Sequence, residues 1–173
     1  MYKHPLQDAK SVKDIEEYKF YDPQDEERFK GVKSELKSAL DKNKAPIINP
    51  HTGGVFEMAL WTRGFSEFYM DMAGNPKMAE ALLDKALRYK KKFWKKALEV
   101  AGEDVLIIGE ADDIASQENT LVSPQMYRKY VKPRHKELFN FIKKEASSKV
   151  YIFYHSCGAV KEMIPDLIEE GVD

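Results

Sequence analysis

The sequence predicts an α/β fold in which helices surround parallel strands. Three short apolar runs, over residues 45–50, 105–109 and 150–154, have the length of buried strands, and segments with helical spacing separate them. The runs are continuously apolar rather than alternating, which is typical of parallel strands covered on both faces. A (β/α) barrel and a doubly wound sheet both fit this order. No Gly-x-Gly-x-x-Gly follows any run, which weighs against the dinucleotide-binding form of the second fold.

The helices are predicted from apolar residues spaced three and four apart and from their start and stop signals. Those before the second strand cover residues 11–17, 25–42, 55–62, 65–72 and 76–100. Ser123 caps the next helix, which Pro133 divides or kinks before it ends near Glu145. A last helix covers residues 159–170, and residues 171–173 are expected to begin a fourth strand.

The composition fits a single globular domain over residues 1–173, with 43% apolar and 33% charged residues. A net charge of −1 gives no case for binding nucleic acid or an anionic membrane, and no apolar run approaches the roughly 20 residues that span a bilayer. Cys157 is the only cysteine and cannot form an internal disulfide, so a reducing cytoplasm is the expected location. The lysines expected on the solvated face of the long helix are Lys90, Lys91, Lys92, Lys95 and Lys96.

Polar residues follow each predicted strand: His51 the first, Asp112 and Asp113 the second, and His155 and Cys157 the third. In a parallel barrel these strand ends share one face, where active sites lie, so we predict the functional site there. Asp112 or Asp113 is a candidate catalytic base or electrostatic group. The alternatives are a solvated loop and a carboxylate that caps a helix, and the sequence does not choose between the two aspartates.

His155 and Cys157 are candidate metal ligands, because both can turn toward the barrel mouth just past the third strand. Imidazole and thiolate are good zinc ligands, and a catalytic zinc needs three protein ligands and one open position. Two ligands do not make a site, so the alternative is a buried cysteine beside a hydrogen-bonded histidine.

Several motifs share one order and spacing with a known family. They are His4-Pro5-Leu6, Gly54-Val55-Phe56-Glu57 running to Arg63-Gly64, Gly109 through Asp112-Asp113 to Ser123-Pro124-Gln125-Met126-Tyr127, and His155-Ser156-Cys157-Gly158 followed by Ile164-Pro165 and Gly171-Val172-Asp173. In these motifs the chain resembles the uroporphyrinogen decarboxylase family in its broad sense, which includes cobalamin-dependent methyltransferases. The resemblance covers nearly the whole chain. It implies a TIM (β/α)₈ barrel of about 250 residues or more, of which this chain is expected to be a central part, a partial barrel.

The methyltransferase branch has His-x-Cys-Gly, kept here at His155, Cys157 and Gly158. There the resemblance implies that the histidine, this cysteine and a second, distant cysteine hold zinc, which deprotonates a small thiol that attacks a methyl group on a corrinoid. The second cysteine would fall beyond Asp173, so the zinc site is expected to be incomplete in this chain. A corrinoid protein or methylcobalamin is the expected partner. The candidate substrate contacts are His51, Phe56, Glu57 and Tyr154.

Two other functions stay open. One is uroporphyrinogen decarboxylation, although the family's key aspartate and arginine-rich segment precede the stretch that matches, and Leu60 and Asp113 stand where that branch has a tyrosine and a serine. The other is an inactive barrel fragment that acts only as a binding or structural module. A partial barrel also leaves strand edges and one side of its core open. We therefore expect a homo-oligomer that covers the open barrel edge.

Overall fold

The structure is a computed structural model that describes residues 3–50 and 52–173. Its strands are β1 (Ile47–Ile48), β2 (Ile107–Ala111) and β3 (Tyr151–His155). Its helices are α1 (Val12–Glu17), α2 (Val32–Asp41), α3 (Val55–Arg63), α4 (Phe65–Gly74), α5 (Pro76–Ala101), α6 (Pro124–Met126), α7 (Lys132–Glu145) and α8 (Ile164–Glu170). The predicted order of helices and strands is therefore observed as far as α8.

Three predicted elements differ in detail. The last helix, expected over 159–170, is a 3₁₀ turn (Lys161–Met163) followed by α8. The helix expected over 25–42 is a 3₁₀ turn (Glu26–Phe29) followed by α2, because Gly31 between them has a left-handed φ of 81° that interrupts the helix. The strand expected at 171–173 does not form. Instead, the N–H of Asp173 donates to the carbonyl of Ile152, and the Asp173 carboxylate accepts from the N–H of Ile152.

The three strands form one parallel sheet in the order β1-β2-β3, with Ile48, Ile108 and Ile152 side by side. Strands that follow one another in sequence are therefore neighbours in the sheet. The connecting helices α5 and α7 both pack on the same face: Glu110 of β2 pairs with Lys90 of α5, and Tyr154 of β3 packs on α7. A doubly wound sheet would have helices on both faces and a reversal of strand order. The arrangement is that of a partial (β/α) barrel, and the predicted fold class is confirmed.

The two faces of the sheet are not equally covered. On the helix side, Ile108 and Ile152 are buried. On the other side, which would be the interior of a closed barrel, Ile47, Tyr151 and Phe153 are 42%, 40% and 56% exposed. The expectation that both faces are buried is therefore wrong for β1 and β3, because three strands curl around only part of a barrel.

The long helix α5 corrects the prediction for Lys90. This lysine is 1% exposed and is not on the solvated face, since it lies on the same helical stripe as Phe93 and Trp94. Its Nζ is 2.8 Å from Glu110 Oε2 and donates to the carbonyl of Gly53 at 3.0 Å. Among the described residues no helix, α5 included, is both long and apolar enough to cross a bilayer.

The helix predicted from Ser123 starts there, since the Ser123 hydroxyl accepts from the N–H of Met126. A π-helical turn, Tyr127–Val131, then separates α6 from α7. Pro133, the second residue of α7, has no N–H to donate to the preceding turn, which accounts for the division expected at this proline.

A buried ion pair at the far end of α3 anchors the N-terminal segment. Arg63 Nε lies 2.7 Å from Asp71 Oδ2. The same guanidinium donates to the carbonyls of Leu6, Gln7 and Ala9. The chain preceding α1 is thereby held against α3 and α4.

Candidate metal centre

The ends of β2 and β3 bring three potential metal donors together: Asp113, His155 and Cys157. One donor atom from each lies within 4.8 Å of the others. Cys157 Sγ is 3.4 Å from His155 Nε2, and that nitrogen is 3.9 Å from Asp113 Oδ1. The cysteine and histidine are exposed and the aspartate is partly exposed, so the cluster opens to solvent at the carboxyl edge of the sheet.

The turn after β3 depends on Gly158. Its φ is +86°, and a Cβ there would lie 2.2 Å from the carbonyl oxygen of Ser116. Two further bonds join the same loops: Ala159 N–H donates to the Ser116 carbonyl at 2.8 Å, and Ile114 N–H donates to the Ser156 hydroxyl at 3.1 Å. The loops after β2 and β3 are thus packed backbone against backbone, and only glycine fits at their closest approach.

The electrostatics of the cluster disfavour the thiolate form of Cys157. The backbone N–H of Cys157 donates to Asp113 Oδ1 at 2.7 Å. Hydrogen bonding to Asp113 and the charge of that carboxylate raise the pKa of the Cys157 thiol above its usual value. A positive charge beside the thiol, such as that of a bound metal ion, would favour the thiolate.

Asp112, the other predicted aspartate, points away from this cluster and is fully buried. Its Oδ1 accepts from the N–H of Glu57 and its Oδ2 from the N–H of Phe56, both at 2.8 Å, in the first turn of α3. Its Oδ2 also lies 2.9 Å from His135 Nε2. This placement favours the helix-capping alternative for Asp112 and leaves Asp113 as the aspartate that faces the opening.

Glu57 lies beside the donor cluster. Its carboxylate accepts from the N–H of Gly54 at 3.3 Å and from the N–H of Asp113. Burial and the charge of Asp112 raise the pKa of Glu57 above its ordinary value. A half-buried carboxylate with a raised pKa next to an open site is suited to proton transfer.

The other predicted contacts have different surroundings. Phe56 is fully buried, and its ring packs against Phe68 with centroids 6.0 Å apart, so it forms part of the helical core. The Tyr154 hydroxyl donates to the carbonyl of Asp112 at 2.9 Å, and burial raises the pKa of this phenol well above its ordinary value. His51 lies outside the described residues.

Sequence reasoning missed two features of this region. Asp113 was not expected as a third metal donor, because only pairing of β2 with β3 brings it next to His155 and Cys157. The buried polar residues behind Asp112, which are His135, Tyr127 and Glu170, were also missed. His135 lies on the stripe of Leu138, Phe139 and Ile142, and that spacing could have indicated its burial.

Comparisons with known proteins agree on the fold. Residues 4–173 match the family model for uroporphyrinogen decarboxylase (URO-D). The structure is similar to a methyltransferase from Methanosarcina mazei, with a TM-score of 0.64 and 19% sequence identity, over 82% of this chain and 39% of that chain. At this identity the likeness shows the fold alone, and this chain spans about two fifths of that neighbour's length. No curated protein sequence was found to match.

Proposed function

We propose that this chain, which belongs to the uroporphyrinogen decarboxylase family, is a methyltransferase-like member in which Asp113, His155 and Cys157 hold a zinc ion that activates a small thiol. The observation that carries the proposal is the convergence of one carboxylate, one imidazole and one thiol at the carboxyl ends of neighbouring strands. Three protein ligands with an open side toward solvent are the arrangement of a catalytic zinc site.

The spacing of the donors fits the ion. Zinc binds histidine nitrogen, cysteine sulfur and carboxylate oxygen in tetrahedral sites at about 2.0–2.3 Å, which places neighbouring donors about 3.3–3.8 Å apart. The observed separations of 3.4 Å between Cys157 Sγ and His155 Nε2 and 3.9 Å between His155 Nε2 and Asp113 Oδ1 are close to that range. Asp113 therefore takes the third place that the resemblance assigned to a distant cysteine.

The chain's own groups supply the rest of the chemistry. When bound, zinc lowers the pKa of a coordinated thiol and holds it as a nucleophilic thiolate. Asp113 fixes the backbone of Cys157, because its carboxylate accepts a hydrogen bond from the N–H of Cys157. Glu57 is the group placed to take up the proton that the thiol gives up, since burial raises its pKa and the N–H of Asp113 holds it beside the cluster.

The partners follow from the family resemblance. The thiolate would accept a methyl group from a corrinoid protein or from methylcobalamin. The acidic groups beside the opening, Asp113 and the half-buried Glu57, favour a thiol over the polyanionic substrate of a uroporphyrinogen decarboxylase, which needs cationic partners.

The experiment compares the two enzyme classes on one preparation. Zinc-loaded protein is assayed for methylation of 2-mercaptoethanol by methylcobalamin and for decarboxylation of uroporphyrinogen. The proposal expects thiol methylation that His155→Ala and Cys157→Ser abolish and that Lys33→Ala, an exposed change on α2, leaves intact. Decarboxylation without methylation would support the other branch of the family, and no turnover in either assay would favour a binding or structural module.

We also propose that a second copy of the chain covers the open face of the sheet. Tyr151 and Phe153 of β3 are exposed on that face, and so is Ile47 of β1 on the other side of β2. Exposed apolar surface of this kind is normally covered. Light scattering across the micromolar range should show a dimer or larger assembly that Phe153→Ser weakens. A stable monomer throughout that range would contradict this part of the proposal.

A further inference from the structure

A chain of buried polar groups lies directly behind the donor cluster. Glu170 of α8, Tyr127 of the π-helical turn, His135 of α7 and Asp112 are each no more than 2% exposed. The Tyr127 hydroxyl donates to Glu170 Oε1 at 2.7 Å and lies 3.2 Å from His135 Nδ1. His135 Nε2 lies 2.9 Å from Asp112 Oδ2. The chain of contacts thus runs from the helix that follows the cysteine loop to the residue that precedes Asp113.

Burying these polar groups costs free energy, so the network is better explained by the geometry that it fixes than by stability. Two carboxylates and an imidazole removed from water stabilise the fold less than well-packed apolar residues of similar volume often would. What a hydrogen-bonded polar network does provide is a restricted arrangement of the groups it joins. In this one, Glu170 Oε2 makes no hydrogen bond but lies 3.2 Å from His135 Nδ1. The groups that the network joins here are α3, α7, α8 and the loop after β2.

Asp112 is the point at which this network fixes the loop. Its carboxylate accepts from the N–H groups of Phe56 and Glu57 and contacts His135. Its backbone N–H donates to the carbonyl of His155 at 3.0 Å, and its carbonyl accepts from the Tyr154 hydroxyl at 2.9 Å. Both the side chain and the backbone of Asp112 are therefore held, and one of these bonds ends on a proposed metal ligand.

Asp113 is the next residue, so its position depends on that anchor. Its Oδ1 is the acceptor for the N–H of Cys157. If Asp112 were released from His135, the loop could shift and carry with it both the Asp113 carboxylate and the bond that orients Cys157. Groups behind metal ligands commonly control affinity in this way, and their removal typically costs about 10–100-fold in metal binding.

We infer that His135 and Asp112 are positioning residues, which hold the Asp113–His155–Cys157 cluster in metal-binding geometry. They do so as part of the buried polar network that ends at Tyr127 and Glu170. The inference rests on the proposed metal site. It adds that the affinity and geometry of that site are set from behind by residues that never touch the metal.

The test is a cobalt(II) titration of the full chain, because the visible bands of bound cobalt and its thiolate charge-transfer band report coordination geometry directly. His135→Gln removes the imidazole that bridges Asp112 and Tyr127. Tyr127→Phe is the milder change: it deletes one oxygen, keeps the ring, and serves if His135→Gln does not fold. The control is Asp71→Asn, which breaks a buried ion pair at the other end of α3, about 12 Å along the helix.

The expected result is that both network variants bind cobalt about 10–100-fold more weakly than the unaltered chain and shift its bands, whereas Asp71→Asn leaves affinity and bands unchanged. Unchanged affinity and spectra in His135→Gln and Tyr127→Phe would overturn the positioning role while leaving the metal site intact. An equal loss in Asp71→Asn would also overturn it, because the loss would then reflect general destabilisation. If the unaltered chain binds no cobalt, the proposed metal site itself fails.

Discussion

The backbone N–H of Cys157 donates to Oδ1 of Asp113 at 2.7 Å, so the cysteine at the end of β3 is tied to the aspartate at the end of β2. The carboxylate that orients the cysteine also raises the pKa of its thiol. One residue therefore has two opposite effects. Without metal it disfavours the thiolate, and in the proposed zinc site it would share the ion with the thiolate.

The first prediction concerns Asp113→Asn in protein freed of metal with a chelator. The amide oxygen can still accept from the N–H of Cys157, but the negative charge is gone, so the pKa of the thiol should fall toward its ordinary value. The pH dependence of alkylation by iodoacetamide should therefore shift to lower pH. The matched control is Glu118→Gln, an exposed acid on the same loop, which should not shift the profile. An unchanged or higher midpoint in Asp113→Asn would contradict this reading.

The second prediction concerns the buried pair Lys90–Glu110. Lys90→Met should lower the free energy of unfolding by about 3–5 kcal/mol, because it leaves the Glu110 carboxylate buried without its cation. The double variant Lys90→Met/Glu110→Gln should lose less, since the amide still accepts from Trp94 Nε1 and carries no charge. Urea unfolding of the three proteins measures both changes. A double variant less stable than Lys90→Met would show that the pair is not the source of the loss.

The third prediction follows from His135. Burial alone would lower its pKa, but the hydrogen bond to Asp112 and the close contact with the Glu170 carboxylate outweigh burial and raise the pKa to about 9 from an ordinary 6.5. Because the pKa is raised in the folded state, protonated His135 adds to the free energy of unfolding. This contribution is fully present below about pH 6.5 and is lost as the pH rises through about 9. Tyr127 and Tyr154 also face the imidazole, and burial holds their pKa values above the ordinary range, so they stay neutral across this window.

The measurement for His135 is the free energy of unfolding at pH 6 and at pH 9.5. The unaltered chain should lose roughly 2–4 kcal/mol more between these pH values than His135→Gln does, since the glutamine has no proton to lose. If both proteins show the same pH dependence, His135 is not protonated in the folded state.

The fold was largely predictable because its signals are local. The apolar runs, the prolines and Ser123 mark elements that need no knowledge of distant contacts, and the structure places β2, β3 and α5 within a few residues of the predicted bounds. What local patterns do not reveal is which side of a strand has a covering layer. That is why the exposure of Phe153 was missed, since it depends on the extent of the barrel rather than on the residue itself.

The site was predictable only in part. His155 and Cys157 belong to one motif, but the contribution of Asp113 depends on the register of β2 against β3, which the sequence does not display. Two adjacent aspartates also have opposite environments, because consecutive residues at a strand end face opposite sides of the sheet. Asp112 therefore points to the buried helix side and Asp113 to the open side, a distinction that needed the sheet.

Zinc titration of chelator-treated protein, followed by metal analysis after dialysis, tests the metal centre most directly. The unaltered chain should retain one zinc ion per molecule. The variants Asp113→Ala, His155→Ala and Cys157→Ser should each weaken zinc binding by more than about 100-fold, which exceeds the effect of losing a residue that only supports a ligand. Glu118→Ala should retain the ion. No stoichiometric zinc in the unaltered chain, or full retention by Asp113→Ala, would contradict a metal centre built from these three residues.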